Sequence, residues 1–361
     1  MSPARTEESG TLAGSQRKKI AVARITETHT TALYFERAAK EAGHEVITVN
    51  DPQTRLKSLG CDLLIVVDPW FHGLDELPEL ACPTVAILID VHRGLETRAT
   101  FARYFDHGFV VQRDFVEAVA KGSHDSMHWL PLAGDPKLHF IPDQERDLEV
   151  GFVGKMGTPG SARHDLLSRV LARFKTNDTS SKETLTMGPV YSRSKIVINR
   201  SIDGDLNMRV FEAMAAGALL VTDRIGNGLS EIAKEGVHYA GYDTVDEALE
   251  KIEHYLSDDA AREQIALAGQ EHLRAHHSYD ARFAQMMDVV DAAGETRGAP
   301  ARAASPLERT RLRAHWGRHR GITALDAAKL VARGLPPTDY SHLAIGILRN
   351  ARKRRARKAR R

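Results

Sequence analysis

From Lys19 onward, short apolar runs of strand length alternate with segments patterned as helices, and the alternation occurs in two successive series. Such alternation builds βαβ units and parallel sheets. The first series places strands at 20–24, 44–50, 62–68, 84–90 and 108–112, with a helix over 32–42 that Gly43 can cap. Residues 129–136, broken by two prolines, read as an irregular crossing segment. The second series opens at 148–154 and continues with a helix over 161–174, a strand at 195–199 and a helix over 208–216. A strand at 218–223 and further helices follow, to about residue 293. The expected fold class is therefore α/β, with two Rossmann-like domains facing a cleft. Ligands of open α/β sheets bind beyond the carboxyl ends of the strands, so the cleft is where chemistry is expected.

The expected organisation is a disordered N-terminus over 1–18, a first domain over 19–146 and a second over 147–293. A Gly/Pro/Ala-rich linker over 294–306 then leads to a basic, mainly helical extension over 307–361. Short helices are expected at 307–321 and 322–334, and a last one from about Thr338. Charge separates this extension from the body. Residues 297–361 hold 18 Lys/Arg against 3 Asp/Glu, whereas the rest of the chain holds 32 against 45. The tail has three readings: a membrane-surface anchor, a contact for a polyanion, or a solvated extension. Lys/Arg clusters gain about 1 kcal/mol per charge near anionic lipid. Leu343, Ile345 and Leu348 offer a narrow apolar face, and the aromatic residues for stacking on nucleic acid are few. No stretch approaches the about 20 apolar residues of a transmembrane helix. The first residues also lack the apolar core of a signal peptide. With only Cys61 and Cys82, a reduced cytoplasmic setting is expected, and the tail allows peripheral contact with the inner membrane face.

The segment 191–223 carries most of the functional argument. It reads as strand, loop, helix, glycine stop and strand, with Asn207 as a good N-cap for the helix that follows. The start of that helix offers free N–H groups and the positive end of a dipole, which suit a diphosphate. Arg209 adds charge in the first turn. Glu212 follows one turn later on the same face, where its carboxylate can accept hydrogen bonds from vicinal ribose hydroxyls. In isolation, a surface helix with Glu212 facing water explains the pattern as well.

The run Asn207-x-Arg209-x-Phe211-Glu212-x-x-Ala215-x-Gly217, followed by an apolar strand ending in Thr222-Asp223, resembles a known signature. It is the donor-binding signature of the group 1 glycosyltransferases, in the branch of the spore-maturation protein CgeB. Segments 86–94, 105–112, 128–136 and 150–154 extend the resemblance over roughly residues 20–290. The resemblance implies the two-domain GT-B fold and an enzyme that moves sugar from a nucleoside-diphosphate sugar to an acceptor it does not identify. It also implies retention of anomeric configuration and no metal cofactor. One departure stands out: the wider group often has a Glu eight residues before the helix Glu, and here that position is Gly204. Non-catalytic alternatives are a scaffold or polyanion binder using the tail. A sugar-nucleotide epimerase is a further enzymatic alternative.

Other candidate positions follow from the same frame. The loop Gly154-Lys155-Met156-Gly157 lets backbone N–H groups approach phosphates, and Lys155 and Arg163 can neutralise them, although an ordinary strand-to-helix turn looks the same. Donor-side candidates are thus Gly154, Lys155, Gly157, Arg163, Asn207, Met208, Arg209, Phe211, Glu212 and Glu231. Glu231 opens a further helix, where dipole stabilisation explains it nearly as well. His92, Arg209 and Glu212 are the catalytic candidates; in related enzymes a histidine near this place touches the transferred sugar, and a loop histidine satisfying backbone is the bland alternative. Glu27 and His29 after the first strand, with Asp90 and Arg93, are placed on the acceptor side, and Arg93 and Arg98 are suited to an acidic acceptor. Asp203-Gly204-Asp205 superficially matches an Asp-x-Asp metal pair, but metal binding is not expected there. His276 and His277, being adjacent, fail the spacing of a helical metal pair and read as structural.

Overall fold

The structure is a computed structural model. It describes residues 16–24, 31–50, 54–68, 77, 80–177, 187–294, 305, 307, 310–311, 313–314 and 323–358. Glu27, His29, nearly all of the expected disordered N-terminus and most of the expected linker lie outside the described residues.

Two parallel sheets form the body. The first joins β1 (Lys19–Ala23), β2 (Glu45–Val49), β3 (Leu63–Val67), β4 (Thr84–Leu88), β5 (His107–Val110) and β6 (Met127–Trp129) in the order β2-β1-β3-β4-β5-β6. The second joins β7 (Leu148–Gly151), β8 (Ser194–Ile198), β9 (Leu219–Asp223) and β10 (Ala240–Tyr242) in the order β10-β9-β8-β7. Every pairing in both sheets is parallel. Parallel strands covered on both faces need continuous apolar runs, and β3, Leu-Leu-Ile-Val-Val, is buried at all five positions. The expected α/β class and two-domain arrangement are what the structure has. The expected crossing segment is less irregular than its prolines suggested: Trp129 closes a strand, and Pro136 opens a short helix capped by Asp135.

Helix α1 (Ala32–Glu41) follows β1, and α2 (Leu95–Ala102) follows β4. Helix α3 (Val116–Gly122) precedes β6, and α4 (Pro136–His139) follows it. In the second lobe α5 (Ala162–Arg173) follows β7, α6 (Met187–Ser192) precedes β8 and α7 (Met208–Ala215) links β8 to β9. Then come α8 (Leu229–Ile232), α9 (Val245–Ser257), α10 (Asp259–His276) and α11 (Tyr279–Ala292).

The chain crosses between the lobes twice, and the crossings run side by side. Gly134 N–H donates to the His277 carbonyl at 3.0 Å, Tyr279 N–H to the Gly134 carbonyl at 3.2 Å, and Arg282 Nε to the Pro131 carbonyl at 3.0 Å. Helix α11 packs back onto the first lobe, sharing one core with α1 through Phe35, Ala38, Phe283, Met286 and Met287. Burial of His277 and the adjoining Arg282 push its imidazole down to about 3, so it is neutral and accepts from Arg282 Nη2 at 2.7 Å. The structural reading of His277 fits this joint.

Beyond the body lie α12 (Ala324–Ala332) and α13 (Tyr340–Lys358). Ala314, Ala327, Leu330, Leu335 and Leu343 gather there around a small core of their own. Among the described residues no helix is long and apolar enough to cross a membrane.

Candidate active site between the two sheets

The carboxyl ends of β4, β5, β7 and β8 point toward each other across the interlobe cleft. A cavity of about 490 Å³ opens there, within the size range of small-molecule sites. The first lobe contributes Tyr34 and Arg37 of α1, Asp90, His92 and Arg93 beyond β4, and Gln112 beyond β5. The second contributes Gly154 and Arg163 beyond β7, Asp205 beyond β8, and Asn207, Met208, Arg209 and Glu212 of the α7 region.

Asn207 is the N-cap that its side chain promised. It has extended backbone, and its Oδ1 accepts from Arg209 N–H at 3.1 Å while its Nδ2 donates to Asn199 Oδ1 at 3.2 Å. Arg209, expected to add charge in the first turn, is held on three sides. Its Nε donates to Tyr191 Oη at 3.1 Å, Nη1 to Asn199 Oδ1 at 2.8 Å and Nη2 to the Val153 carbonyl at 2.6 Å. The guanidinium also lies 4.4 Å from the Phe152 ring centroid, a cation–π distance. Arg209 is thus a fixed charge whose side chain ties α7 to the end of β7.

Gly154 is needed where it stands. Its φ is +142°, and a Cβ there would lie 2.6 Å from Arg209 Nη2. Arg163 sits on the other side, 5.4 Å from the same Phe152 ring, with Nε on the Lys155 carbonyl at 3.0 Å and Nη1 on the Arg200 carbonyl at 2.6 Å. Burial, together with the charge of Arg209, lowers Arg163 to about 10. Of the loop candidates, Gly154 and Arg163 line the cavity, whereas Lys155 and Gly157 are exposed outside its lining.

Glu212 is 6% exposed and reaches the cavity wall. Burial raises its carboxyl to about 7, against the opposing pull of Arg209. Tyr34 and Tyr279 stack nearby with centroids 4.3 Å apart and planes 5° from parallel. The Tyr34 hydroxyl meets His139 Nε2 at 3.2 Å. His139 Nδ1 accepts from Asp135 N–H, and burial lowers this imidazole to about 4, so the neutral ring carries its proton on Nε2 and donates to Tyr34. The Tyr34 proton is left available to the cavity.

Across the cleft, Gln112 Nε2 donates to Asp205 Oδ1 at 3.0 Å, Asp114 N–H to Asn227 Oδ1 at 3.3 Å, and Arg113 Nε pairs with Glu231 at 2.9 Å. Glu231 therefore stands outside the cavity lining, in an exposed interlobe pair. Phe211 is wholly buried and packs in the shared core instead of lining the cavity. The suggestion that Arg98 greets an acidic acceptor is corrected. Arg98 is 7% exposed and grips Asp68 with Nε at 3.0 Å and Nη2 at 3.1 Å, so its charge is consumed inside the first lobe.

Sequence reasoning missed Tyr34, Arg37, Gln112 and Tyr191. Tyr34 and Arg37 sit one turn apart on α1, a helix read only for its extent and its cap. Gln112 stands at the carboxyl end of β5, where the cleft rule alone would have pointed to it.

With this geometry in view, comparison with solved structures shows the GT-B fold. The HepE protein of Anabaena, in complex with UDP and glucose, superposes with a TM-score of 0.56 at 13% identity, over 76% of this chain and 100% of that one. A sucrose-phosphate synthase of Thermosynechococcus elongatus gives 0.55 at 13%, over 76% and 99%. An alpha-glucosyltransferase in complex with UDP-glucose and DNA containing an abasic site gives 0.55 at 14%, over 76% and 100%. Within that fold, residues 157–288 match the family model described as glycosyl transferase-like. No curated protein matches the sequence significantly.

Proposed function

We propose that the chain is a glycosyltransferase that takes its sugar from a nucleoside-diphosphate sugar, in the CgeB-like branch of the group 1 enzymes. The observation that carries this reading is Glu212, a buried carboxyl on the wall of the interlobe cavity, one turn beyond a capped helix N-terminus. Neighbours of the same fold bind UDP and UDP-glucose, and the glycosyl transferase-like match covers this segment.

In this reading the second lobe (147–293) holds the donor and the first (19–146) faces the acceptor. The donor's diphosphate lies at the N-terminus of α7 beside Gly154, and Glu212 accepts both ribose hydroxyls. As the sugar departs, charge grows on the diphosphate. The positive end of the α7 dipole and the guanidinium charges of Arg209 and Arg163 already face that position and need no reorganisation. Lys155, exposed on the loop after β7, swings in with lobe closure, which also expels water. The free proton of Tyr34 is directed at the transferred sugar, and His92 stands on the same cavity wall. Front-face attack assisted by the leaving phosphate retains configuration, and no metal ion is assigned to the leaving group. Asp90 and Arg93 belong to the acceptor side. The thiols of Cys61 and Cys82, 3.5 Å apart, suit a reducing cytoplasm, and the basic tail is proposed to touch the anionic inner membrane face.

A panel of nucleotide sugars, scored for thermal stabilisation and for donor hydrolysis, tests the reading. A donor at 100 times its dissociation constant should add about 2.7 kcal/mol of stability. One donor should stabilise and be consumed by the wild type and do neither with Glu212→Ala. An intact fold that no nucleotide sugar stabilises and that consumes none refutes the proposal.

A further inference from the structure

The loop after β4 and the loop before α7 bring Asp90, His92 and Asp205 together from opposite lobes. One ligand atom from each lies within 4.8 Å of the other two. Both ring nitrogens of His92 are shut off from solvent, and neither has a hydrogen-bond partner among the described residues. An imidazole buried in that condition forfeits its hydrogen bonds to water without replacement. Metal–ligand bonds of about 2.0–2.2 Å hold neighbouring donor atoms roughly 3–4 Å apart, so the spacing here is close to a coordination sphere. The three groups are not closed around each other. Among the described residues the Asp205 carboxylate accepts from Gln112, and Asp90 pairs with the exposed Arg93 at 3.1 Å.

One imidazole with two carboxylates is a donor set of intermediate hardness, suited to Mn2+ or Zn2+ with open positions for water. We propose that Asp90, His92 and Asp205 bind a divalent cation that clamps the two lobes together. The Asp-x-Asp spacing considered in the sequence is not the basis, since Asp203 takes no part; Asp205 groups instead with first-lobe residues more than a hundred positions away. The ion bridges the two lobes at the cleft wall, leaving the departing diphosphate to Arg209, Arg163 and α7.

The site stands on geometry and does not require the transferase reading. Its test is a titration of the full chain with Mn2+, without nucleotide sugar, following free Mn2+ by its paramagnetic resonance signal. The wild type should bind one equivalent. Asp90→Asn and Asp205→Asn keep shape and remove charge, and Asn tolerates the left-handed φ of 51° at position 90. Each should weaken binding by about tenfold or more, as should His92→Ala. Circular dichroism verifies that the variants are folded. Absence of a stoichiometric site, or folded variants that bind Mn2+ as the wild type does, overturns the proposal.

Discussion

Glu212 combines burial with a proposed role, holding the donor ribose, that requires its charge. Its folded-state value of about 7 stands above the ordinary 4.5, so between those values the native chain holds a proton that the unfolded chain has lost. The stability this contributes is full below pH 4.5 and lost as pH rises through about 7. The linkage amounts to about 3 kcal/mol. Urea unfolding at pH 5 and pH 8 should therefore show wild type losing about 3 kcal/mol relative to Glu212→Gln; parallel behaviour of the two proteins would show that Glu212 titrates normally. At Gly154 the constraint is steric. Gly154→Ala places a methyl 2.6 Å from Arg209 Nη2 at a φ that side chains rarely adopt, and should destabilise by roughly 1–3 kcal/mol while weakening donor binding. Glu212 was legible in sequence because its spacing from the N-cap puts it on a defined face of a short helix. Its protonation was not, since burial is set by Tyr34 and Tyr279 on two distant helices.

Among the elements, α7 carries most of the site with eight residues. Its position depends on Asn207 at the cap and on Arg209 tied to Tyr191, Asn199 and Val153. Asn207→Ala should cost about 1 kcal/mol of stability and weaken donor binding, measured by denaturation and calorimetry on the same protein. An unchanged donor affinity would separate the cap from the site. The strand–loop–helix order of this region was readable because periodicity changes sharply at Asn207 and stops at Gly217. What Arg209 does was not readable, because its three acceptors come from separate segments that only the tertiary structure brings together. The same holds for Glu231: a first-turn acidic residue suggests a helix start, but its partner Arg113 lies in the other lobe. That pair is half exposed, so Glu231→Ala should cost less than about 1 kcal/mol, and a larger loss would mean that it does more than bridge the lobes.

For the whole molecule, the two sheets and the side-by-side crossings define a cleft whose walls belong to different lobes. The parallel α/β architecture was visible in the alternation of apolar runs and helical patterns, which is a local property. Interlobe pairs such as Gln112 with Asp205 and the grouping of Asp90, His92 and Asp205 depend on how two separately folded sheets face each other. No local pattern encodes that. The charge division is a whole-chain property as well, with 18 basic against 3 acidic residues in 297–361. If the tail contacts anionic lipid, the full chain should sediment with phosphatidylserine vesicles and be released by salt; binding that ignores salt would argue against this role.

The most direct measurement is calorimetric binding of the nucleotide sugar that stabilises the chain, made at pH 6 in buffers of different ionisation enthalpy. Ribose hydroxyls that donate to Glu212 require its carboxylate, and the bound diphosphate has no group of its own titrating there. The account predicts release of close to one proton per donor at pH 6, declining through pH 7 and almost gone at pH 8, and neither release nor tight binding in Glu212→Gln. Tight binding with no proton release, equal in wild type and Glu212→Gln, would contradict the assignment of Glu212 as the group that holds the donor.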